Sequence, residues 1–293
     1  MRIKAFAVLV IFLASTSLTA RSTYAGTDDS RSRNLMQYYF DLVKSGNFES
    51  AQGLWEPSTQ ARAARLNIEY DNAPVKTDCG SPVIYNFERV KDLIPAGLYS
   101  MANIDSGVIR WKFEGEIDGE KFRHFYFTAD IGGYYWLIKP QDYYAKDWPL
   151  EVSKYFRFYI SPDRVDHFNN IIVEALDAFV DEAAERILIA PERMNLLAEQ
   201  KIDYYLCSSE NEVDKLSGQR SRGVYDRGSD AVITTFIPHY HQVALLMINF
   251  KLRTLPLFTQ SFLRMGLATY LGGRWQRAPE VVFDFGDYIL KYG

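Results

Sequence analysis

Cysteine and histidine are scarce in this chain, which has two Cys and four His among 293 residues. Two cysteines cannot build the disulfide framework of a small secreted domain, and there is no C-x-x-C pair. The same scarcity argues against a structural zinc site made of clustered Cys and His. Cys79 and Cys207 could form one bond between distant parts of the chain, but we expect two unpaired thiols.

Long apolar runs are also missing. A membrane-spanning helix needs about 20 consecutive apolar residues, and the two best candidates, Ala5–Leu13 and Val243–Phe250, are far shorter. Ala5–Leu13 follows two basic residues and precedes small ones, which is the layout of a signal peptide. We expect residues 1–25 to be cleaved after Ala25, leaving a secreted or periplasmic protein without a membrane span. The alternative is an uncleaved N-terminal anchor.

Neither sign of charge dominates, because 33 Lys and Arg face 37 Asp and Glu, for a net charge of −4. The sequence has no basic patch of the kind that binds nucleic acid and no charged tail. Apolar residues are plentiful at 47 %, including 20 Tyr and 19 Phe, which is enough for a large core. We expect an α+β fold with two domains, residues 29–149 and residues 150–293.

The first of these segments combines helices with strands. Apolar residues recur at helical spacing over Asn34–Ser45, and Gly46 is placed to end that helix. Hydrophobicity then alternates along three later stretches, two of which flank the hairpin signal Asp118-Gly119. The predicted strands are Val108–Ile117, Lys121–Ala129 and Tyr134–Ile138. The pattern predicts N-terminal helices packed on a three-stranded antiparallel meander.

This layout, with the phrase YYFDLVKSGNFESAQGLW at 38–55, resembles the ketosteroid-isomerase-like cone, also described as the nuclear-transport-factor-like fold. The resemblance implies an apolar pocket between the helices and the sheet, and with it a small-ligand-binding function. The candidate lining residues are Tyr38, Tyr39, Trp55, Trp111, His124, Tyr126 and Trp136. The alternative is that most of these rings form ordinary core. Asp130, beside the turn at Gly132-Gly133, is expected to be exposed.

The second segment follows a turn-like link, Tyr143–Pro149. An apolar stripe predicts one long helix over Pro162–Leu188, with His167 on the stripe. A strand at Ile202–Cys207 and a helix at Glu210–Leu216 come next. This order predicts a mixed sheet packed against helices.

The most informative stretch surrounds His241-Gln242-Val243-Ala244-Leu245. In the zinc motif H-E-x-x-H, two histidines one helical turn apart bind the metal, and the Glu acts as general base. Here Gln242 stands at the Glu position and Leu245 at the second His position. Downstream, Met265 opens the phrase Met265-Gly266-Leu267-Ala268, where a third zinc ligand of the E-G-L-A kind would stand.

With GVYDRGSDAVITT at 223–235 and FLRMGLATYLGG at 262–273, this frame resembles the peptidase-MA-like gluzincins. The resemblance implies an edge strand, a zinc helix and a third-ligand helix, with a domain that is either minimal or cut short at Gly293. Gln242, Leu245 and Met265 cannot supply the base or the two missing ligands. We therefore expect no catalysis and no cofactor, and a function in binding a peptide or protein partner in the former substrate cleft.

The alternative is an active metal-dependent peptidase or hydrolase built on His239 and His241. On a strand both side chains would point to one face and could hold zinc together with a carboxylate. The candidate carboxylates are Asp226, Asp230, Glu280 and Asp284. If Pro238 instead begins a helix, positions two apart do not face each other. His241 is then a core histidine and His239 a loop residue.

Overall fold

The computed structural model describes residues 29–94, 99–105, 107–255, 261–274 and 277–292. The expected signal peptide, residues 1–25, lies outside these ranges. An antiparallel four-stranded sheet occupies the N-terminal half, a mixed five-stranded sheet occupies the C-terminal half, and helices pack on both. The α+β prediction is confirmed.

The elements are named in chain order. The helices are α1 (Asp29–Lys44), α2 (Phe48–Gln52), α3 (Pro57–Ala64), α4 (Pro82–Tyr85), α5 (Phe87–Val90), α6 (Pro140–Tyr144), α7 (Asn170–Arg186), α8 (Pro191–Gln200), α9 (Glu210–Ser217), α10 (Tyr240–Leu252), α11 (Ser261–Gly272) and α12 (Pro279–Tyr292). The strands are β1 (Glu69–Tyr70), β2 (Tyr99–Asp105), β3 (Val108–Ile117), β4 (Glu120–Ile131), β5 (Tyr134–Ile138), β6 (Leu150–Val152), β7 (Phe156–Ile160), β8 (Ile202–Leu206), β9 (Gly223–Asp226), β10 (Ala231–Thr234) and β11 (Thr254–Leu255).

The N-terminal sheet has the order β2-β3-β4-β5. Asp118 and Gly119 both have positive φ angles, as a two-residue hairpin turn requires, and they join β3 to β4 in the predicted register. Strand β2 was not predicted, so the meander has four strands rather than three. Strand β5 pairs only with Phe127–Ile131 of β4. Among the described strands, the Glu120–Tyr126 part of β4 therefore has no partner on its outer side.

Helix α1 packs its apolar face on this sheet. Met36, Tyr39, Phe40 and Val43 are all buried, which matches the predicted helical stripe. The chain leaves α1 at Gly46, whose φ of +75° is a conformation that glycine adopts easily. The long α1 thus covers one face of the sheet and fixes the aromatic side chains beneath it.

The C-terminal sheet has the order β6-β7-β8-β10-β9. The three central strands run parallel, and both edge strands run antiparallel to their neighbours. Every residue of the central strand β8 is buried, as is usual for a parallel strand covered on both faces. Strands β6 and β7 were not predicted, because the stretch after the link was assigned no regular structure.

The single long helix predicted over Pro162–Leu188 is wrong. Residues Pro162–His167 form a 3-10 helix, and α7 begins only at Asn170. Asn169 has extended backbone angles, and its side chain accepts a hydrogen bond from the Ile172 amide, so it caps α7. His167 is consequently exposed and does not lie on an apolar stripe.

The two halves pack on each other. Strand β1 pairs in parallel with β11, so that Glu69 lies opposite Thr254. One hydrophobic cluster includes Phe40 of α1 and Phe250 of α10. The predicted boundary between residues 149 and 150 stays a prediction, although contacts cross it throughout the core. Within the described ranges, no helix combines the length and apolarity that a bilayer crossing requires.

Candidate functional site

A cleft of about 980 Å³ opens at the N-terminus of α10. Its walls come from α7, the start of β9, the segment before α10, the end of α11 and the start of α12. Four sequence-predicted positions line it together: His239, His241, Gln242 and Met265. The remaining frame position, Leu245, is buried in the core and does not line the cleft.

His239 precedes α10 as its N-cap residue, so the two histidines do not lie on a strand. Its Nδ1 atom lies 2.9 Å from the Thr234 hydroxyl oxygen. A side chain at Gly223 would collide with the His239 ring, because an added Cβ would lie 2.1 Å from Cε1. The glycine at the start of β9 thus allows the imidazole to lie directly against the strand. Burial, together with the nearby His241, lowers the pKa of His239 to about 3.

His241 is buried and has a defined tautomer. Its Nδ1 atom lies 2.9 Å from the carbonyl oxygen of Gly273. A carbonyl oxygen only accepts, so Nδ1 carries the ring proton. Burial lowers the pKa of His241, and Arg274 adds to this effect while the Gly273 carbonyl opposes it. The ring is therefore neutral at pH 7, and Nε2 is an acceptor with no hydrogen-bond partner among the described residues.

Gln242 ties α10 to the edge strand. Its Nε2 atom donates a hydrogen bond to the Gly223 carbonyl oxygen over 3.1 Å. Helix α11 approaches the same point from the other side, since a Cβ on Gly272 would lie 2.6 Å from the Tyr240 carbonyl carbon. The first turn of α10 is thus held by β9 and α11, and the side chain at the general-base position is a neutral amide already engaged with backbone.

The four candidate carboxylates are dispersed. Only Glu280 lines the cleft of the histidines, and Asp284 is exposed on α12. Asp230 is buried, accepts from the Tyr225 hydroxyl at 2.7 Å and pairs with Lys76. Asp226 pairs with Lys139 at 3.4 Å. In the described part of the chain, no three His, Cys, Asp or Glu side chains come together as a metal-holding group.

The aromatic candidates of the N-terminal half lie mostly in the core. Trp55, Trp111 and Tyr126 are at most 3 % exposed, and Tyr39 packs on Tyr126 with ring centroids 5.7 Å apart. These rings occupy the space between α1 and the sheet where the predicted pocket would lie. Tyr38 is exposed and Trp136 is half-buried opposite Ala129. His124 is half-buried and lines a second cleft, which also includes Trp55.

Two acidic residues differ from the sequence-based picture. Asp130 was predicted to be exposed, but it is only 4 % exposed, and its carboxylate accepts a hydrogen bond from the Gly133 amide. Asp78 was not singled out from the sequence. It is buried and accepts hydrogen bonds from two tyrosine hydroxyls, those of Tyr39 at 2.7 Å and Tyr126 at 2.9 Å. Nothing local in the sequence indicates these distant partners.

No protein-family model, curated protein or solved structure matches the chain. The resemblances to gluzincins and to the isomerase-like cone therefore stay predictions from the sequence. The cleft at α10 is the feature of the described structure on which a function can be based.

Proposed function

We propose that the chain is a non-catalytic, peptidase-like protein, secreted or periplasmic, that binds a peptide or protein segment in the cleft at α10. The observation that carries this proposal is that three of the four positions of the altered zinc motif, His241, Gln242 and Met265, line one large cleft. Gln242 stands there at the general-base position and Met265 at a ligand position. The site thus keeps the shape of a binding cleft while its side chains lack the chemistry of a zinc peptidase.

The absence of catalysis follows from the groups present. An amide cannot take a proton from water as a carboxylate can, and Gln242 already donates to the Gly223 carbonyl. A catalytic zinc site needs three protein ligands and one open position. Leu245 is an alkyl group in the core, and the Met265 thioether favours softer metals than zinc.

A peptide suits the cleft by size, by lining and by its rim. A volume of about 980 Å³ is at the upper end of ordinary ligand pockets. Apolar surface from Phe179, Phe236 and Leu271 lies beside the guanidinium groups of Arg222 and Arg277. The rim reaches Gly223, the first residue of the edge strand β9, and extended peptides commonly bind by pairing with such edges.

A second candidate function, metal-dependent hydrolysis, is favoured by one observation. Metal-binding histidines usually donate their other ring N–H to a carbonyl or carboxylate. His241 has this arrangement, with Nδ1 on the Gly273 carbonyl and Nε2 unpaired. Zinc would be the metal, with His239 as the second imidazole and Glu280 as a carboxylate that lines the same cleft.

Peptide selection tests the proposal. A displayed peptide library is enriched on the untagged protein, and the affinities of selected peptides are measured for two variants. Met265→Arg fills the cleft, whereas Leu267→Arg places the same charge on an exposed position of α11 outside it. We expect Met265→Arg to weaken binding at least about tenfold and Leu267→Arg to leave it unchanged. Equal affinity for Met265→Arg and the parent protein would contradict the proposal.

Metal analysis separates the two candidates. The untagged protein is incubated with zinc, dialysed and analysed for metal, alongside His241→Ala. The proposed binding protein retains no stoichiometric zinc. About one zinc per chain, lost in His241→Ala, would contradict the binding-protein proposal and support a metal-dependent hydrolase. His241 is the only histidine that remains at a ligand position of the zinc motif.

A further inference from the structure

A second cleft, of about 530 Å³, shares no lining residue with the cleft at α10. It opens where β5 stops pairing with β4, so the unpartnered part of β4 forms one wall. The other wall comes from the end of α9, the Gly218 turn and β9. None of the residues of the altered zinc frame line it.

The lining of this second cleft is cationic. Five basic side chains face three carboxylates, those of Asp78, Asp214 and Asp226. The basic residues are Arg110, Arg123, Lys139, Lys215 and Arg227. Two of the carboxylates are already engaged, since Asp226 pairs with Lys139 and Asp78 accepts from buried tyrosines. The cleft therefore has an excess of positive charge toward any molecule that enters it.

Two of these basic side chains contact the same aromatic ring. The guanidinium carbons of Arg110 and Arg123 each lie 5.1 Å from the centroid of Phe125. Arg110 also hydrogen-bonds Tyr144. In the described part of the chain, no carboxylate forms an ion pair with either arginine. Each guanidinium can therefore pair with an anion that enters the cleft.

A histidine borders the same cleft with a fixed orientation. His124 Nε2 lies 3.4 Å from the Asp78 carboxylate. Tyr39 and Tyr126 also donate to Asp78, and the Ser81 hydroxyl donates in turn to Tyr126 at 2.7 Å. This buried network holds one edge of the imidazole, so Nδ1 is the ring nitrogen left to meet a ligand.

Alternation along β4 explains how both groups reach one ligand. Arg123 and Phe125 point to one face of the sheet, and His124 points to the other. Within a sheet these faces would be separated, but at an edge without a neighbouring strand both border the same space. A molecule in the cleft can thus contact guanidinium groups from one side and the imidazole from the other.

We propose that the cleft at the free part of β4 binds a small dianion, a molecule that carries phosphate or two carboxylates. Arg110 and Arg123 pair with its charge, and His124 borders it from the other face of β4. This site is separate from the peptide cleft, and neither proposal depends on the other.

Isothermal titration of the full-length protein at low ionic strength tests this site with inorganic pyrophosphate in one arm and succinate in the other. We expect saturable one-to-one binding of at least one probe, and the preferred arm identifies phosphate or carboxylate chemistry. Arg123→Gln, at an exposed position, should weaken binding about tenfold. The matched control is Lys112→Gln, because Lys112 lies on β3, pairs with Glu114 and does not line the cleft.

Three results would overturn the site. The first is no saturable heat with either probe for protein that is folded by circular dichroism. The second is a loss for Lys112→Gln as large as that for Arg123→Gln, which would indicate diffuse surface charge. The third is binding of a glutamate-rich decapeptide without binding of either small dianion, which would assign the free edge to a peptide.

Discussion

Arg65 and Asp203 form a buried ion pair that joins the two halves of the molecule. Arg65 Nη2 lies 3.2 Å from Asp203 Oδ2, and their side chains are 4 % and 0 % exposed. Arg157 Nε donates to the other carboxylate oxygen at 2.7 Å. The buried Asp203 carboxylate thus interacts with guanidinium groups from the end of α3 and from β7.

Replacing Asp203 with Asn should strongly destabilise the protein. The change leaves buried guanidinium groups without a counter-charge, for an expected loss of roughly 3–5 kcal/mol in the free energy of unfolding. Glu88→Gln is the matched control, because Glu88 pairs with Lys91 at the surface and its replacement should leave the unfolding midpoint nearly unchanged. Urea unfolding compares the two variants, and equal midpoints would contradict the predicted role of the buried pair.

Glycine 272 should be intolerant of a side chain, whereas Gly266 in the same helix should accept one. An added Cβ on Gly272 meets the Tyr240 backbone at 2.6 Å, but one on Gly266 meets nothing within 4 Å. We expect Gly272→Ala to lower the free energy of unfolding by about 2 kcal/mol. Gly266→Ala should raise it by up to about 1 kcal/mol, since alanine favours helix interiors. Thermal unfolding of both variants measures the difference, and a stable Gly272→Ala would exclude the close packing of α10 on α11.

Stability should fall between pH 7 and pH 5.5. Burial lowers the pKa values of His239 and His241 from 6.5. As the pH falls, both histidines are therefore protonated in the unfolded chain before they are protonated in the folded protein. Their contribution is complete above the unfolded pKa and declines below it, by up to about 1.4 kcal/mol per pH unit for each histidine. His239→Gln should flatten this decline, while the same change at exposed His167 should not. Identical pH profiles for both variants would refute the assignment.

Neither thiol should react with a thiol reagent in the folded protein. Cys79 and Cys207 are buried and do not form a disulfide. Burial raises the pKa of Cys79 to about 12 and that of Cys207 above its usual range. A thiol reagent at pH 8 should therefore label neither residue before unfolding and both after it. No labelling of the unfolded, unreduced chain would instead favour the disulfide that the sequence left open.

Apolar side chains on α11 and α12 should bind a hydrophobic dye. Phe262 is 76 % exposed and Leu290 is 87 % exposed, and Phe285 and Tyr288 are also largely open to solvent. So many exposed large apolar side chains on two packed helices are unusual for a folded chain. We expect anilinonaphthalene sulfonate fluorescence with the native protein and a clear decrease in Phe262→Ser/Leu290→Ser. An unchanged signal in that double variant would place the dye elsewhere.

Local sequence patterns predicted the strands whose ends are set by a tight turn and whose apolar and polar residues alternate. Strands β3 and β5 were predicted with the bounds they have, because Asp118-Gly119 and Gly132-Gly133 fix where each hairpin reverses. The long helix failed because Asn169 caps α7, and a cap cannot be recognised from an apolar stripe alone. Strands β6 and β7 are short, and they are stabilised by pairing with β8 further along the chain.

The candidate site was predicted only in part, because several of its contacts join residues that are far apart in the sequence. His241, Gln242 and Met265 were grouped from a motif, and the structure places them around one cleft. Asp230 was a candidate metal ligand, but its ion pair with Lys76 depends on contact between the two halves. Asp78 was missed because the tyrosines that hydrogen-bond to it lie on α1 and β4. Partners this far apart in sequence leave no local signal.

The short pairing of β1 with β11 constrains how the chain can fold. Glu69 is made early in synthesis, but its partner Thr254 follows only after almost all of the C-terminal half. Contacts between such distant residues form slowly, because a long loop must close before they contribute. The N-terminal half therefore completes its packing only when the C-terminal half is present, and the two halves should fold together rather than one after the other.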